Sequence, residues 1–367
     1  MEATFASAAL DLFVELAAVP SPSGEEALVA ERIRAYLRDL GVECESDAAG
    51  NLLAFVEPTE PGTPIFLCAH MDTVPPVGPI EPQVADGVVT NARDTILGAD
   101  DKAAVAAILE AARLLVSERR PHGGVELVFT VREEIGLEGA KELDVARLRS
   151  RTGFVFDYSG RVGDVVVAAP SGVSVDVVFT GRAAHAGIAP EDGRSAIFAA
   201  ARAIGDLRLG RIDEETTANV GTIVGGTARN VVPERCVVHA EARSRDERKL
   251  AELVQEMLDA FTFAASLAEC EADATVEDKY SGYRVPADDP ALALARRALE
   301  ATGLAPREVE VGGGADVNVL RGQGLACVNL ATGMTNVHTP DEEIAVADIE
   351  SLVGVSLALV EAARDAG

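Results

Sequence analysis

Tryptophan is absent from this 367-residue chain, aromatic residues make up only 4% of it, and cysteine occurs five times. Cys44, Cys68, Cys236, Cys270 and Cys327 are odd in number, widely scattered and without a Cys-x-x-Cys pair. That excludes a disulfide framework and reads as small core residues in a reducing compartment. Basic residues are also scarce: 32 Lys and Arg stand against 60 Asp and Glu, for a formal charge of -28. Nucleic acid and anionic lipid are therefore excluded as partners, because binding phosphate takes clustered Lys and Arg. No run approaches the roughly 20 apolar residues of a membrane span. The nearest, Ala103 to Val116, is broken by Glu110 and Arg113. Met1, Glu2 and Ala3 lack the basic start of a signal peptide, so a cytoplasmic protein is expected.

What is present is ordinary globular composition, 48% hydrophobic and 25% charged, over a length that exceeds one core and predicts two domains. Ala8 to Val19 is apolar at helical spacing until Pro20, Ser21 and Pro22 stop it. Ser23 with Glu26 forms a capping-box pattern for a second helix through Leu40. Apolar runs follow at Pro64–Ala69, Val125–Val131 and Phe154–Phe156, with a long helical pattern from Ala99 to Ser117 between the first two. Strands alternating with helices predict an α/β fold with a parallel core.

From Ser171 to Tyr283 the pattern changes. Val173, Val175, Val177 and Phe179 alternate as a half-buried strand, Ser195–Leu207 and Arg245–Ala268 are helical, and strands fit Asn219–Val224, Arg235–Ala242 and Ala272–Asp278. The order β-α-β-β-α-β is ferredoxin-like. The α/β pattern resumes after Val285 with helix Asp289–Thr302, the run Ala326–Ala331 and a final helix from Val346. The expectation is a discontinuous, mixed-sheet α/β domain of residues 1–170 and 284–367 with an α+β unit inserted at 171–283.

Several apolar runs end in residues able to bind a metal: His70 and Asp72, Glu133 and Glu134, and Asp157. Sites of open α/β sheets gather outside the carboxyl ends of strands. In His70-Met71-Asp72 the alternation of an extended chain puts both side chains on one side, where Asp72 can orient the imidazole. Asp100 and Asp101 open the long helix. Helix capping accounts for one of them; the other is left unexplained, and a carboxylate can bridge two ions as a single imidazole nitrogen cannot. The side chains of Glu133 and Glu134 diverge, so one can bind metal while the other stands free as a base. Asp157, after Phe154-Val155-Phe156, needs a partner if buried. His338 follows a strand and a turn at Gly333; His122 and His239 read as structural. Two nitrogens and three or four carboxylates suit zinc. Two Zn²⁺ with Asp100, Glu134, Asp157 and a bridging hydroxide would be neutral, the state in which bound water of pKa about 7 becomes a nucleophile.

The runs FLCAHMDTVPP, LGADDKAAVAAILEA, FTVREEIGLEGAK, GRAAHAGIAPEDGRSAI and NVHTPDEEI resemble the peptidase T-like branch of the co-catalytic zinc exopeptidases. That group also holds dipeptidase V, carboxypeptidase G and aminoacylase. The resemblance covers nearly the whole chain, with the motifs in the family's order. It implies a catalytic α/β domain with an inserted ferredoxin-like lid that often dimerises. It also implies that His70, Asp100, Glu134, Asp157 and His338 are metal ligands, with Asp100 bridging. Asp72 would orient His70, and Glu133 would be the general base. Asp157 is similar to the aminopeptidase and dipeptidase members; the carboxypeptidase and deacylase members tend to have Glu there. His185 matches a lid histidine that reaches the scissile carbonyl, often of the partner subunit. Asn230 in GGTARNVVPE and Arg243 in EARSRD resemble substrate contacts.

The activity implied is hydrolysis of short peptides near a free amino end, of tripeptidase or aminopeptidase type. The cofactor is two divalent ions, zinc first, with cobalt or manganese as substitutes, and Glu133 activates a water between them. The alternative with the same site is a dipeptidase or an N-acyl-amino-acid deacylase. A non-catalytic cation binder would lack one of these residues, and none is missing. Gly312-Gly313-Gly314 is no nucleotide fingerprint, because no G-x-G-x-x-G opens a helix after an amino-terminal strand.

Overall fold

The computed structural model describes residues 3–366; Met1 and Glu2, examined above for a leader, and Gly367 lie outside the described residues. The chain divides into two compact units, one of Met1–Val167, Arg284–Glu310 and Ala315–Gly367, the other of Ala168–Tyr283 and Val311–Gly314.

The first unit is built on a nine-stranded mixed sheet. Ile65–His70 pairs in parallel with Val125–Thr130 on one side and Thr152–Tyr158 on the other, and Ala326–Ala331 continues the parallel run. Leu52–Val56 and Cys44–Ser46 add antiparallel strands beyond Val125–Thr130. Asp164–Ala169, Tyr283–Arg284 and Arg307–Glu310 complete the other side. Every residue of Ile65–His70 and Val125–Thr130 is buried. Helices or loops cover both faces of such strands, which is why they read as continuous apolar runs without alternation. Phe66, Phe129, Phe154 and Phe156 are fully buried, and each contributes about 1.5–3 kcal/mol by leaving water. Helix Ala99–Ser117 packs against Ala3–Ala17, Val346–Arg364 and the strand Ile65–His70. It is buried on almost every side, and its run of alanines lets these neighbours approach closely.

Four parallel strands aim their carboxyl ends at one edge. His70 closes its strand, Asp157 stands one residue from the end of its own, and Glu133 and Glu134 follow Thr130. The loop after Ala331 carries His338 and ends at Glu343–Ala345. That short strand pairs with Val88–Asn91, and Val88–Asn91 with Pro82–Ala85, so a small separate sheet anchors the loop.

The capping box expected from Ser23 and Glu26 is not formed. Helix Ala27–Asp39 has Glu26 itself at its N-cap, without a side-chain cap bond. Ser23 Oγ donates to Asp72 Oδ2 at 2.6 Å, while Glu26 Oε1 accepts from the backbone N–H of Gly24 and Arg132. A hydroxyl bonded to a buried carboxylate is held more strongly than one bonded to a neutral backbone group.

The second unit is a five-stranded antiparallel sheet in the order Gly210–Arg211, Thr216–Gly225, Arg235–Ser244, Ser171–Thr180, Glu271–Tyr280. Without the two-residue edge strand it is the ferredoxin-like order. Helices Ala196–Asp206 and Glu247–Leu267 cover one face, and burial alternates along Ser171–Thr180 as one covered face requires. Ser195 and Asp246 cap the two helices with their side chains. Phe179 and Phe261 meet edge to face at 6.0 Å in the core. On the uncovered face His239 Nδ1 lies 2.8 Å from Asp176 Oδ1. In the first unit buried His122 accepts at Nδ1 from the backbone of Gly124. Among the described residues no helix is long and apolar enough to cross a membrane.

Candidate metal centre

His70 Nε2 lies 3.0 Å from Asp100 Oδ1 and 4.0 Å from Asp157 Oδ1. His338 Nε2 lies 2.9 Å from Glu134 Oε1 and 3.4 Å from Asp100 Oδ2. Asp100 thus turns one oxygen toward each histidine. Donor atoms of His70, Asp100 and Asp157 fall within 4.8 Å of one another, and so do those of Asp100, Glu134 and His338. Glu133 joins His70 and Glu134 in a third such set. These are two adjacent donor sets that share one carboxylate, each able to hold a cation.

Asp72 is fully buried behind them. Its Oδ1 accepts from Glu133 N at 2.9 Å, and its Oδ2 accepts from Glu134 N at 3.2 Å and from Ser23. His70 Nδ1 lies 2.9 Å from the Asp72 main-chain carbonyl and 3.5 Å from Asp72 Oδ1. With that carbonyl as acceptor, Nδ1 carries a proton, and Nε2, 3.0 Å from Asp100 Oδ1, is the nitrogen that a cation could take in place of its proton. One residue therefore orients the imidazole and pins the Glu133-Glu134 turn.

That turn is held from below by Asn51, which is buried, accepts from Val131 N and donates to the Gly139 carbonyl. A Cβ on Gly139 would stand 2.2 Å from the Val131 carbonyl, so only glycine lets the two backbones close here. Arg132, Asn336 and His338 all adopt positive φ, at 53°, 54° and 65°. Such backbone is costly for residues with a Cβ and clusters at functional sites.

The N-cap expected of Asp100 or Asp101 is taken by another residue. Gly98 stands at the N-cap, Asp100 and Asp101 have non-helical backbone angles, and the peptide between them is cis. Asp100 spends its oxygens on the histidines, and Asp101 Oδ2 accepts from His70 N at 3.2 Å. The N–H groups of Leu97, Gly98 and Asp100 bond instead to the carboxylate of Glu342. Glu342, Asn51 and Asp316 are polar residues at this edge that sequence reasoning passed over, and Ser23 is one to which it gave another role. Glu342-Glu343 ahead of the strand residue Ile344 did carry a signal, since in an extended chain one of two adjacent acids must face inward.

The electrostatics follow from crowding. Burial, and then the charge of Asp157, push Glu133 well above the usual carboxylate range. Burial does the same to Asp157 against the lowering charge of His70, with Asp100 first among the acids that add to it. Burial opposes ionisation of Asp100 too, but hydrogen bonds to His338 and His70 hold it below its ordinary value. Asp100 and then Glu134 raise His338 to about 10. Burial lifts Asp316, which accepts from Thr130 Oγ1, to about 6. The donor set fits a pair of divalent cations: each cradle offers one imidazole nitrogen and carboxylate oxygens, and positive charge there would relieve the repulsion among the acids.

The remaining three candidates belong to the second unit. His185 is exposed, bridges to Val231, and sits beside Asn230, whose carbonyl accepts from Ala186 N. Arg243 is half-buried near the far end of Arg235–Ser244, 2.9 Å from Glu241. The structure therefore groups seven candidates at one sheet edge, places His185 with Asn230, and leaves Arg243 apart from that pair.

Residues 66–362 match the model of peptidase family M20/M25/M40. The chain belongs to this family. A relative, the uncharacterized protein YqjE of Bacillus subtilis, is 39% identical over 363 residues, 96% of this chain and 98% of its own. Among solved structures, aminopeptidase PepT from Bacillus cereus superposes with a TM-score of 0.83 at 39% identity, covering 98% of each chain. A tripeptidase from Staphylococcus aureus reaches 0.89 at 34% identity over 98% of this chain and 99% of its own. The fold of this M20 peptidase is therefore that of the aminopeptidase and tripeptidase structures, end to end.

Proposed function

We propose that this protein is a two-metal aminopeptidase that removes the amino-terminal residue from short peptides, tripeptides foremost. The observation that carries the reading is Asp100, which faces a histidine-carboxylate pair with each oxygen. The names of the Bacillus cereus aminopeptidase and the Staphylococcus aureus tripeptidase, each similar over nearly the whole chain, support the substrate class. His70, Asp100 and Asp157 would hold one ion, and His338, Glu134 and Asp100 the other. Mixed imidazole and carboxylate donors favour zinc, with cobalt or manganese able to replace it. Two such ions, when bound, lower the pKa of water from 15.7 toward about 7 and polarise a carbonyl.

The chain's own residues do the rest. Glu133 is held by its backbone N–H to Asp72, and burial raises the affinity of its carboxylate for a proton. It takes the proton from the attacking water and returns it to the leaving amine. Asp72 keeps the His70 ring and the Glu133-Glu134 turn in place. His185 donates a hydrogen bond to the oxyanion, and Asn230 and Arg243 hold the substrate.

Residues 171–283 serve as a lid and dimerisation unit in this reading, and residues 1–170 with 284–367 as the catalytic domain. Arg243 is the ninth residue of the ten-residue strand Arg235–Ser244, about 27 Å from the end where His185 and Asn230 lie. An extended tripeptide spans only about 10 Å, so one copy of the lid cannot offer all three residues to one substrate. A homodimer resolves this, with His185 and Asn230 acting on the partner's site. Thr216–Gly225 suits that pairing: it is an edge strand beyond its short contact with Gly210–Arg211, and it exposes Ile223 and Val224. We place the enzyme in the cytoplasm, where its five unpaired thiols would stay reduced.

Elemental analysis with a side-by-side panel of tripeptides, dipeptides and N-acetyl amino acids tests the proposal. Two metal ions per chain and release of the first residue of a tripeptide are expected. Activity confined to the acyl compounds would replace the aminopeptidase with a deacylase.

A further inference from the structure

Glu342 lies four residues past His338 in the same loop and is 1% exposed. Its Oε2 accepts from Leu97 N and Gly98 N at 2.8 Å each, and its Oε1 accepts from Asp100 N at 3.0 Å. A single carboxylate therefore satisfies three backbone donors on the segment that presents the shared Asp100. Helical bonding cannot serve these donors, because Gly98 has φ 76° and Asp100 is non-helical at φ -80°, ψ 103°. Nor can the neighbouring acids, since Asp100 faces the histidines and Asp101 accepts from His70 N. On its other side Glu342 is tied to the His338 loop through its own N–H, which donates to the Thr339 carbonyl, and it runs directly into the strand Glu343–Ala345.

We infer that Glu342 is a positioning residue that locks the bridging carboxylate of Asp100 to the loop of His338, and so couples filling of one cation cradle to filling of the other. The inference rests on the two-metal reading above. Its physical basis is the geometry of a charged acceptor. A carboxylate takes N–H bonds on both oxygens, whereas Gln at the same size has one acceptor and turns an NH₂ toward a backbone donor. Without the acid, three buried N–H groups lose their partner, and Asp100 is free to settle toward one histidine.

The test is a zinc titration, read by calorimetry and by competition with a chromophoric chelator, on metal-stripped wild type, Glu342→Gln and Glu342→Asp. Glu126→Gln is the structural control. Glu126 is likewise buried and accepts two backbone N–H groups, from Arg149 and Ser150. It stands at the amino end of Val125–Thr130, away from the metal edge. Glu342→Gln should bind the second zinc ion about 10–100-fold more weakly, the usual cost of losing a partner that orients a ligand. Glu342→Asp should lie between it and wild type, and Glu126→Gln should match wild type.

Wild type that holds fewer than two ions overturns the two-metal reading itself. Two ions in wild type with unchanged affinities in Glu342→Gln overturn the coupling alone. Equal weakening by Glu126→Gln also overturns it, by reducing the effect to general stability. If Glu342→Gln does not fold, Glu342→Asp decides, and wild-type affinity there sinks the inference.

Discussion

In the nine-stranded sheet, parallel strands and the loops after them deliver His70, Asp157, Glu133, Glu134 and His338 to one edge. The antiparallel five-stranded sheet does the opposite, with His185 and Asn230 at one end and Arg243 at the other. Of the first set His70 and Glu133 are buried, Glu134 and Asp157 half-buried and His338 exposed, and their donor atoms lie close together; the second is exposed or half-buried, and its members are held by local bonds. Strand direction explains the contrast. Parallel strands share a carboxyl edge, so their loops accumulate chemistry in one place, whereas antiparallel strands alternate their ends and spread it. The first unit thus gathers its candidate residues in one place within one chain, while in the proposed reading the second supplies residues to the site of a partner.

The sharpest way to break this contrast is Glu133→Gln. It should retain both metal ions by elemental analysis yet lose about 10²–10⁴-fold in kcat, the span that general acid–base catalysis supplies. A loss within about tenfold would remove Glu133 as the base. His185→Ala comes next, with a fall of about 10²–10³-fold in kcat expected from one oxyanion donor. Mixing this variant with Glu133→Gln should restore up to about a quarter of wild-type activity, since half of randomly paired dimers carry one intact site. No recovery, with exchange of subunits shown by light scattering or mass, would return His185 to its own chain.

The smallest effect concerns Lys102, a fully buried lysine whose Nζ donates to the Val19 carbonyl at 2.6 Å. Burial lowers its pKa from 10.5 to about 7. Between those values the unfolded chain holds a proton that the folded chain has released, so stability rises with pH across that window and is lost as pH falls toward 7. In urea melts of metal-stripped protein, wild type should gain on Lys102→Met by at most about 1.4 kcal/mol per pH unit between pH 7 and 10. A difference that does not change with pH would mean that Lys102 stays charged in the fold.

Much of the frame was legible before any coordinates. The helix read from Ala99 to Ser117 is Ala99–Ser117, and the run Ala326–Ala331 is a strand of those bounds. Apolar periodicity and glycine punctuation are local, and local signals survive in one dimension. Ser23 and Glu26 misled for the same reason, since a capping-box spacing is a local pattern and their true partners, Asp72 and Arg132, lie 49 and 106 residues away. Glu342 escaped notice because the N–H groups it accepts belong to residues 242–245 positions earlier.

From residue types and their order alone came the alternation of strands and helices, the inserted β-α-β-β-α-β stretch, and the choice of acids and histidines set at strand ends. Tertiary structure decided which of those acids share a histidine, that Asp100 faces two of them, and that Glu342 holds its backbone. Composition and periodicity act through neighbours along the chain, while the convergence of charges depends on strand direction and on backbone groups that must find acceptors wherever the fold brings them.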